Sequence, residues 1–217
     1  MMDTTQLKQK KAVIFDMDGV VIDSEPLHER SSRIVLAQHN LEIQDEVFAD
    51  FKGSTDRTIL EYLIAENNLD VGVEDLLKQK RSTYASLIDE LQPIHGVISF
   101  INRISGDYRL ALTTSASRRN KELAFSKFNL HRFFEVVITS DDINNPKPDP
   151  EPYLETTTRL AIDPQDCVVI EDSFNGVRSA SGAGCTVVGI TTSFEKAALM
   201  DAGADYVISG YDELGHL

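Results

Sequence analysis

Two clusters of carboxylates sit where a chain could hold a cation and handle phosphate. Asp16 and Asp18 lie two residues apart in FDMDGVVIDSE, and Gly19 follows to allow a sharp turn. Crowded carboxylates repel one another, and that repulsion favours a bound cation. Glu171-Asp172-Ser173 repeats the acidic theme ahead of Gly176. Magnesium takes a few carboxylates and fills its shell with water and substrate oxygens, and Asp16, Asp18 and Asp172 would supply such a set. The run Thr113-Thr114-Ser115-Ala116-Ser117 brings hydroxyls to the start of a helix expected from about 118. Free backbone N–H groups and the helix dipole make that place suited to a phosphate oxygen. Lys147 stands between Pro146 and Pro148 on a stiff segment, where an ammonium could neutralise a carboxylate and its phosphate. Each feature also has a plain structural explanation. Aspartates and glycines are common in turns, Ser117 could simply cap its helix, and a loop lysine is usually solvated.

These residues fall at the ends of short apolar runs. The runs are 12–15, 110–114, 136–139, 167–170, 187–190 and 206–208, with helical stretches between them. Such alternation predicts an α/β fold with a Rossmann-like, doubly wound parallel sheet. Ligands in open α/β sheets bind beyond the carboxyl ends of the strands, where the carboxylates stand. Residues 24–91 break the alternation and read as helical throughout. Ile59, Leu60, Leu63 and Ile64 form one stripe, with Ser54, Thr55 and Asp56 as candidate helix caps. Val73, Leu76, Leu77, Tyr84, Leu87 and Ile88 form another. The expected organisation is a catalytic core of 1–23 and 92–217 with an inserted helical cap domain of 24–91. Lys80 falls on the apolar stripe of its helix. It either snorkels to solvent or faces an anionic substrate, and Lys52 in a cap loop could serve likewise.

Composition narrows the partners. The chain has 217 residues, 41% hydrophobic and 26% charged, with a net charge of -14. That field repels nucleic acid and anionic membranes, so neither is an expected partner. It also repels a phosphate ester, so a phosphate site needs local cations or a metal. The two cysteines, Cys167 and Cys185, sit in or beside apolar runs and read as buried thiols in strands, in keeping with a reducing cytoplasm. No run is long enough to span a membrane. Residues 1–11 hold no apolar segment of the kind a secretory signal needs and read as a solvated lead-in. Nothing in the sequence requires more than a monomer.

Taken together, DMDGV (16–20), Ser115 after the second run, Lys147 in KPDP and EDSFNG (171–176) resemble the four ordered motifs of the haloacid dehalogenase-like superfamily of phosphatases. The resemblance covers essentially the whole chain and is nearest to the subgroup with a helical cap after the first motif. That subgroup includes β-phosphoglucomutase, sugar-phosphate phosphatases and phosphoglycolate phosphatase. It implies that Asp16 attacks phosphorus and becomes an aspartyl-phosphate, while Asp18 protonates the leaving oxygen and then activates water. It implies that Ser115 and Lys147 hold the phosphoryl group, with Ala116 and Ser117 beside it and Thr114 as the alternative to Ser115. Magnesium would lie on the Asp16 carboxylate, the Asp18 main-chain oxygen and Asp172, with Glu171 nearby.

The first expectation is a magnesium-dependent phosphatase for a small phosphorylated metabolite, a sugar phosphate above all. The alternative is a β-phosphoglucomutase, since His28, Lys52 and Lys80 stand where that enzyme has like residues. One position departs: the mutase has a cap-loop arginine for the second phosphate where this chain has Asp56, with Arg57 next to it. A third possibility, a non-catalytic binding protein on the same fold, predicts loss of a nucleophile or metal ligand. Asp16, Asp18, Lys147 and Asp172 are all present.

Overall fold

The computed structural model describes residues 7–50 and 55–215, apart from the side chains of 49 and 50. The strands are β1 (Ala12–Phe15), β2 (Ile22–Asp23), β3 (Gln92–Pro93), β4 (Arg109–Thr113), β5 (Val136–Ile138), β6 (Cys167–Glu171), β7 (Thr186–Ile190) and β8 (Tyr206–Ile208). Six of them form one sheet in the order β5-β4-β1-β6-β7-β8, and every pairing in it is parallel. The chain is thus an α/β protein with a Rossmann-like sheet.

Strand composition explains the order. AVIF in β1 and CVVIE in β6 are buried at every position, as central parallel strands with both faces covered must be. The outer strands β5 and β8 are only partly buried. Successive side chains of β1 point to opposite faces. Ala12 and Ile14 join a cluster with Val169, Val177, Val187 and Leu199. Phe15 makes edge contacts with Phe100 and Phe134, at ring separations of 6.1 and 5.8 Å.

The helices are α1 (Glu25–Ala37), α2 (Asp45–Asp50), α3 (Asp56–Asn67), α4 (Val73–Ser86), α5 (Val97–Ile104), α6 (Arg118–Phe128), α7 (Glu151–Leu160), α8 (Phe174–Gly182) and α9 (Lys196–Ala202). The chain divides into two compact units, Met1–Asp23 with Gln92–Leu217, and Ser24–Leu91. The first carries the sheet and α5–α9. The chain leaves and re-enters it through β2 and β3, which pair antiparallel.

The second unit is built on α1–α4. Val35, Leu36, Ile43, Leu60, Leu63, Leu76 and Leu77 fill its core. Thr55 caps α3, its hydroxyl accepting from Thr58 N at 3.2 Å. Leu87 and Ile88 follow α4, which ends at Ser86. Lys52 and Ser54 lie outside the described residues. Among the described residues, no helix is long and apolar enough to cross a membrane. Cys167 opens β6, whereas Cys185 precedes β7 by one residue; both are free and buried.

Candidate active site

β1 lies between β4 and β6, with Phe15 in register with Leu112 and Ile170. One residue further on, Asp16, Thr113 and Glu171 therefore reach the sheet's carboxyl edge side by side. Asp16 is still anchored to the sheet, its N–H donating to Ile170 O at 3.0 Å. The chain then turns sharply. Met17 O accepts from Val20, Val21 and Ile22, and Gly19 adopts a φ of 74°. A Cβ at Gly19 would come within 1.9 Å of Asp172 Oδ2, so the loop and that carboxylate pack directly together. Tyr211, from the far end of the chain, donates its hydroxyl to Val20 O at 2.8 Å and braces the same loop.

Lys147 is not a solvated loop lysine. Its side chain is only 5% exposed. Its Nζ donates to Asp16 Oδ1 at 2.7 Å, Glu171 Oε1 at 2.7 Å and Thr113 O at 3.0 Å, which engages all three ammonium protons. Burial alone would pull the ammonium down, but Asp16 and Glu171 outweigh it and hold Lys147 well above its usual range.

Glu171 is fully buried and saturated. Oε1 accepts from Lys147 and from Tyr153 Oη at 2.9 Å. Oε2 accepts from Asp172 N, Ser173 N and Ser173 Oγ at 3.0, 3.1 and 3.0 Å. A Cβ at position 176 would lie 1.6 Å from Oε1, which accounts for the glycine there.

Ligand oxygens of Asp16, Glu171 and Asp172 lie within 4.8 Å of one another. Burial pushes Asp16 well above the usual carboxylate range; Lys147 opposes the shift, and Glu171, Asp172 and Asp18 add to it. Asp172 is pushed up to about 7, first by burial and then by Glu171. Several carboxylates thus share one lysine, and the local excess is negative. A hard cation with oxygen ligands is the species that relieves such an excess, so the residues present fit one.

The hydroxyl run divides by burial. Thr114 is buried, its N–H continuing the ladder to Ile138 O at 2.9 Å and its hydroxyl accepting from Ala116 N at 3.0 Å. Ser115 is exposed. Ser117 is the N-cap of α6 and accepts from Asn120 N at 3.3 Å.

The second unit carries the other expected residues. His28 stacks on Tyr84 with ring centroids 4.5 Å apart. Lys80 does not snorkel: it is 4% exposed and ion-paired with Asp56. The apolar stripe of α4 therefore contains a lysine because the neighbouring helix start supplies its counter-charge.

A family model described as haloacid dehalogenase-like hydrolase matches residues 13–190. The chain belongs to the haloacid dehalogenase-like hydrolases. It is 32% identical over 200 residues to a phosphorylated carbohydrates phosphatase of Thermotoga maritima, covering 89% of this chain and 92% of that protein. It is 28% identical over 179 residues to a fructose-1-phosphate phosphatase of Escherichia coli, covering 82% and 95%. A solved Thermotoga maritima structure, provisionally assigned as a beta-phosphoglucomutase, aligns with a TM-score of 0.82 at 31% identity, over 91% of this chain and 94% of that one. Phosphoric monoester hydrolase, the class shared by the named phosphatases, is the enzyme class of this family member.

In this haloacid dehalogenase-like hydrolase, the sequence motifs at Asp16, Lys147, Glu171 and Asp172 converge at one sheet edge. Motif reading passed over Tyr153, which bonds Glu171, and Thr192 and Ser193, which meet Asp172 and Gly19. The exit of β7 was the missed signal. It follows the same strand-end rule as Asp16 and Asp172, and it carries three hydroxyls in Thr191-Thr192-Ser193.

Proposed function

We propose that this hydrolase removes phosphate from a small phosphorylated carbohydrate, using Asp16 as nucleophile and passing through an aspartyl-phosphate. The supporting observation is the Asp16–Lys147–Glu171 arrangement: a buried carboxylate at a strand end, fixed by an ammonium that uses all three of its protons. The substrates named for the two phosphatase relatives support the carbohydrate class. An anionic carboxylate attacking a phosphate dianion meets charge repulsion, and Lys147 lowers it from within the site. Asp18, half-buried in the turn after β1, is proposed to protonate the leaving oxygen and then to activate water for hydrolysis of the acyl phosphate. Thr114 is preferred to Ser115 as the hydroxyl that holds the phosphoryl group, because it is the one buried at the β4 exit. Ala116 and Ser117 follow it at the start of α6.

The proposed cation is magnesium, on the carboxylates of Asp16 and Asp172 and the Asp18 main-chain oxygen. When bound it would neutralise negative charge on the carboxylates and the phosphoryl oxygens. Glu171 is proposed to hold Lys147 rather than the cation, since both its oxygens are already engaged.

The 24–91 unit is proposed as the specificity cap, with His28 and Lys52 as its substrate-side residues; Lys80, buried and paired with Asp56, is proposed to hold the start of α3 instead. The Asp56–Lys80 pair favours phosphatase over mutase, because Asp56 cancels the charge that a second phosphate would need. The mutase remains the second reading, favoured by the Thermotoga maritima structure assigned to that activity.

Phosphorus NMR separates the two. The protein is incubated with magnesium and β-glucose 1-phosphate, primed with a trace of glucose 1,6-bisphosphate, alongside fructose 1-phosphate. Free phosphate as the main product supports the phosphatase, whereas glucose 6-phosphate without free phosphate establishes the mutase. Survival of phosphate release in Asp16→Asn would remove Asp16 as nucleophile.

A further inference from the structure

The loop leaving β7 delivers two hydroxyls to the carboxylate cluster. Thr192 Oγ1 donates to Gly19 O at 2.6 Å and lies 3.4 Å from Asp172 Oδ2. With one hydroxyl proton available, the shorter bond takes it. Ser193 Oγ donates to Asp172 Oδ2. Asp172 Oδ2 is thus held by the Ser193 hydroxyl and packed against the Gly19 backbone, and Thr192 fastens that backbone through Gly19 O.

We infer that Thr192 and Ser193 are positioning residues for the divalent-cation centre, Ser193 orienting the Asp172 carboxylate and Thr192 fixing the Asp16–Gly19 loop against it. The inference rests on the proposed cation site at Asp16 and Asp172. The physical reason lies in the neutrality of the Ser193 donor. A lysine at Oδ2 would orient the carboxylate but also cancel the charge that attracts a cation. A hydroxyl orients it and leaves the charge in place. Carboxylate ligands are commonly held in this way by outer hydrogen bonds, whose loss weakens metal affinity by roughly 10–100-fold. Both residues lie at or near the surface, so their side chains can be changed without opening the core.

The test is Mn2+ binding to the purified, substrate-free protein, followed by the EPR signal of free Mn2+. Wild type is compared with Asp172→Asn, Ser193→Ala, Thr192→Val and the hydroxyl-retaining pair Ser193→Thr and Thr192→Ser. The expected result is Mn2+ binding about tenfold or more weaker in Ser193→Ala and several-fold weaker in Thr192→Val, on the order of the outer-contact effects above. The hydroxyl-retaining variants should bind like wild type. Equal binding by wild type and Asp172→Asn would overturn the cation site itself, and this inference with it. Loss of binding in Asp172→Asn with wild-type affinity in Ser193→Ala and Thr192→Val would overturn the positioning role alone. Equal weakening in Ser193→Ala and Ser193→Thr would also overturn it, because the hydroxyl would not be the cause.

Discussion

Lys147 shows how much a single residue gains from its surroundings. In sequence it is one charge between two prolines. In the fold its three protons are directed at Asp16, Glu171 and Thr113 O. Lys147→Ala should lower kcat by about 10²–10³-fold, the usual cost of removing a fixed charge that stabilises a transition state. Lys147→Arg should not rescue it, because a planar guanidinium cannot direct three donors from one atom. Steady-state kinetics on a sugar phosphate checks both, and an arginine variant of wild-type activity would contradict the account. The same scale shows where sequence reading stops. The difference between Thr114 and Ser115 is one residue of strand exit, and a run of hydroxyls does not mark where burial ends. The partners Tyr153, Thr192 and Ser193 reach the site through contacts with residues 18 to 173 positions away in sequence, which no local pattern encodes.

At the scale of elements, the sheet was legible. Four of its strands are buried along nearly their whole length and read as short β-rich runs. Their ends could be placed to within a residue or two. The helices of 24–91 were legible from their apolar stripes, but the Asp56–Lys80 pair was not, since it joins residues 24 positions apart on two helices. Helix ends hold one clear opportunity. Ala161 terminates α7 at a φ of 51° and a ψ of 44°, and its side chain is exposed. The left-handed region costs a residue with a Cβ about 1–2 kcal/mol. Ala161→Gly removes that cost but adds backbone freedom to the unfolded chain, offsetting roughly 0.5–1 kcal/mol. The expected net effect is a stabilisation of up to about 1.5 kcal/mol by urea denaturation, and a loss of stability would contradict the conformational argument.

For the whole molecule, the carboxylate cluster links stability to pH and to cations. The value of Asp172 is raised from 3.8 in an unperturbed carboxyl to about 7 in the fold. Between those values the folded state binds more protons than the unfolded state, so stability falls as pH rises. The contribution is complete below pH 3.8 and is lost as pH passes about 7. Asp16 is shifted in the same direction. A cation competes with those protons, so the metal-free protein should gain more in Tm from added Mg2+ at pH 8 than at pH 5. At a hundredfold excess over Kd the gain corresponds to about 2.7 kcal/mol. Scanning calorimetry at the two pH values, with and without Mg2+, measures it. An equal Mg2+ effect at both would contradict a cation site made of these carboxylates.

The most direct test of the nucleophile is chemical trapping. The enzyme is mixed with Mg2+ and a sugar phosphate that it turns over, quenched in acid during the steady state and treated with borohydride, which reduces an acyl phosphate to an alcohol. Mass spectrometry of the peptide carrying DMDGV then locates the change. The account predicts homoserine at position 16, present with substrate and absent without it. Efficient turnover with Asp16 unmodified, or with the reduced residue elsewhere, would contradict it.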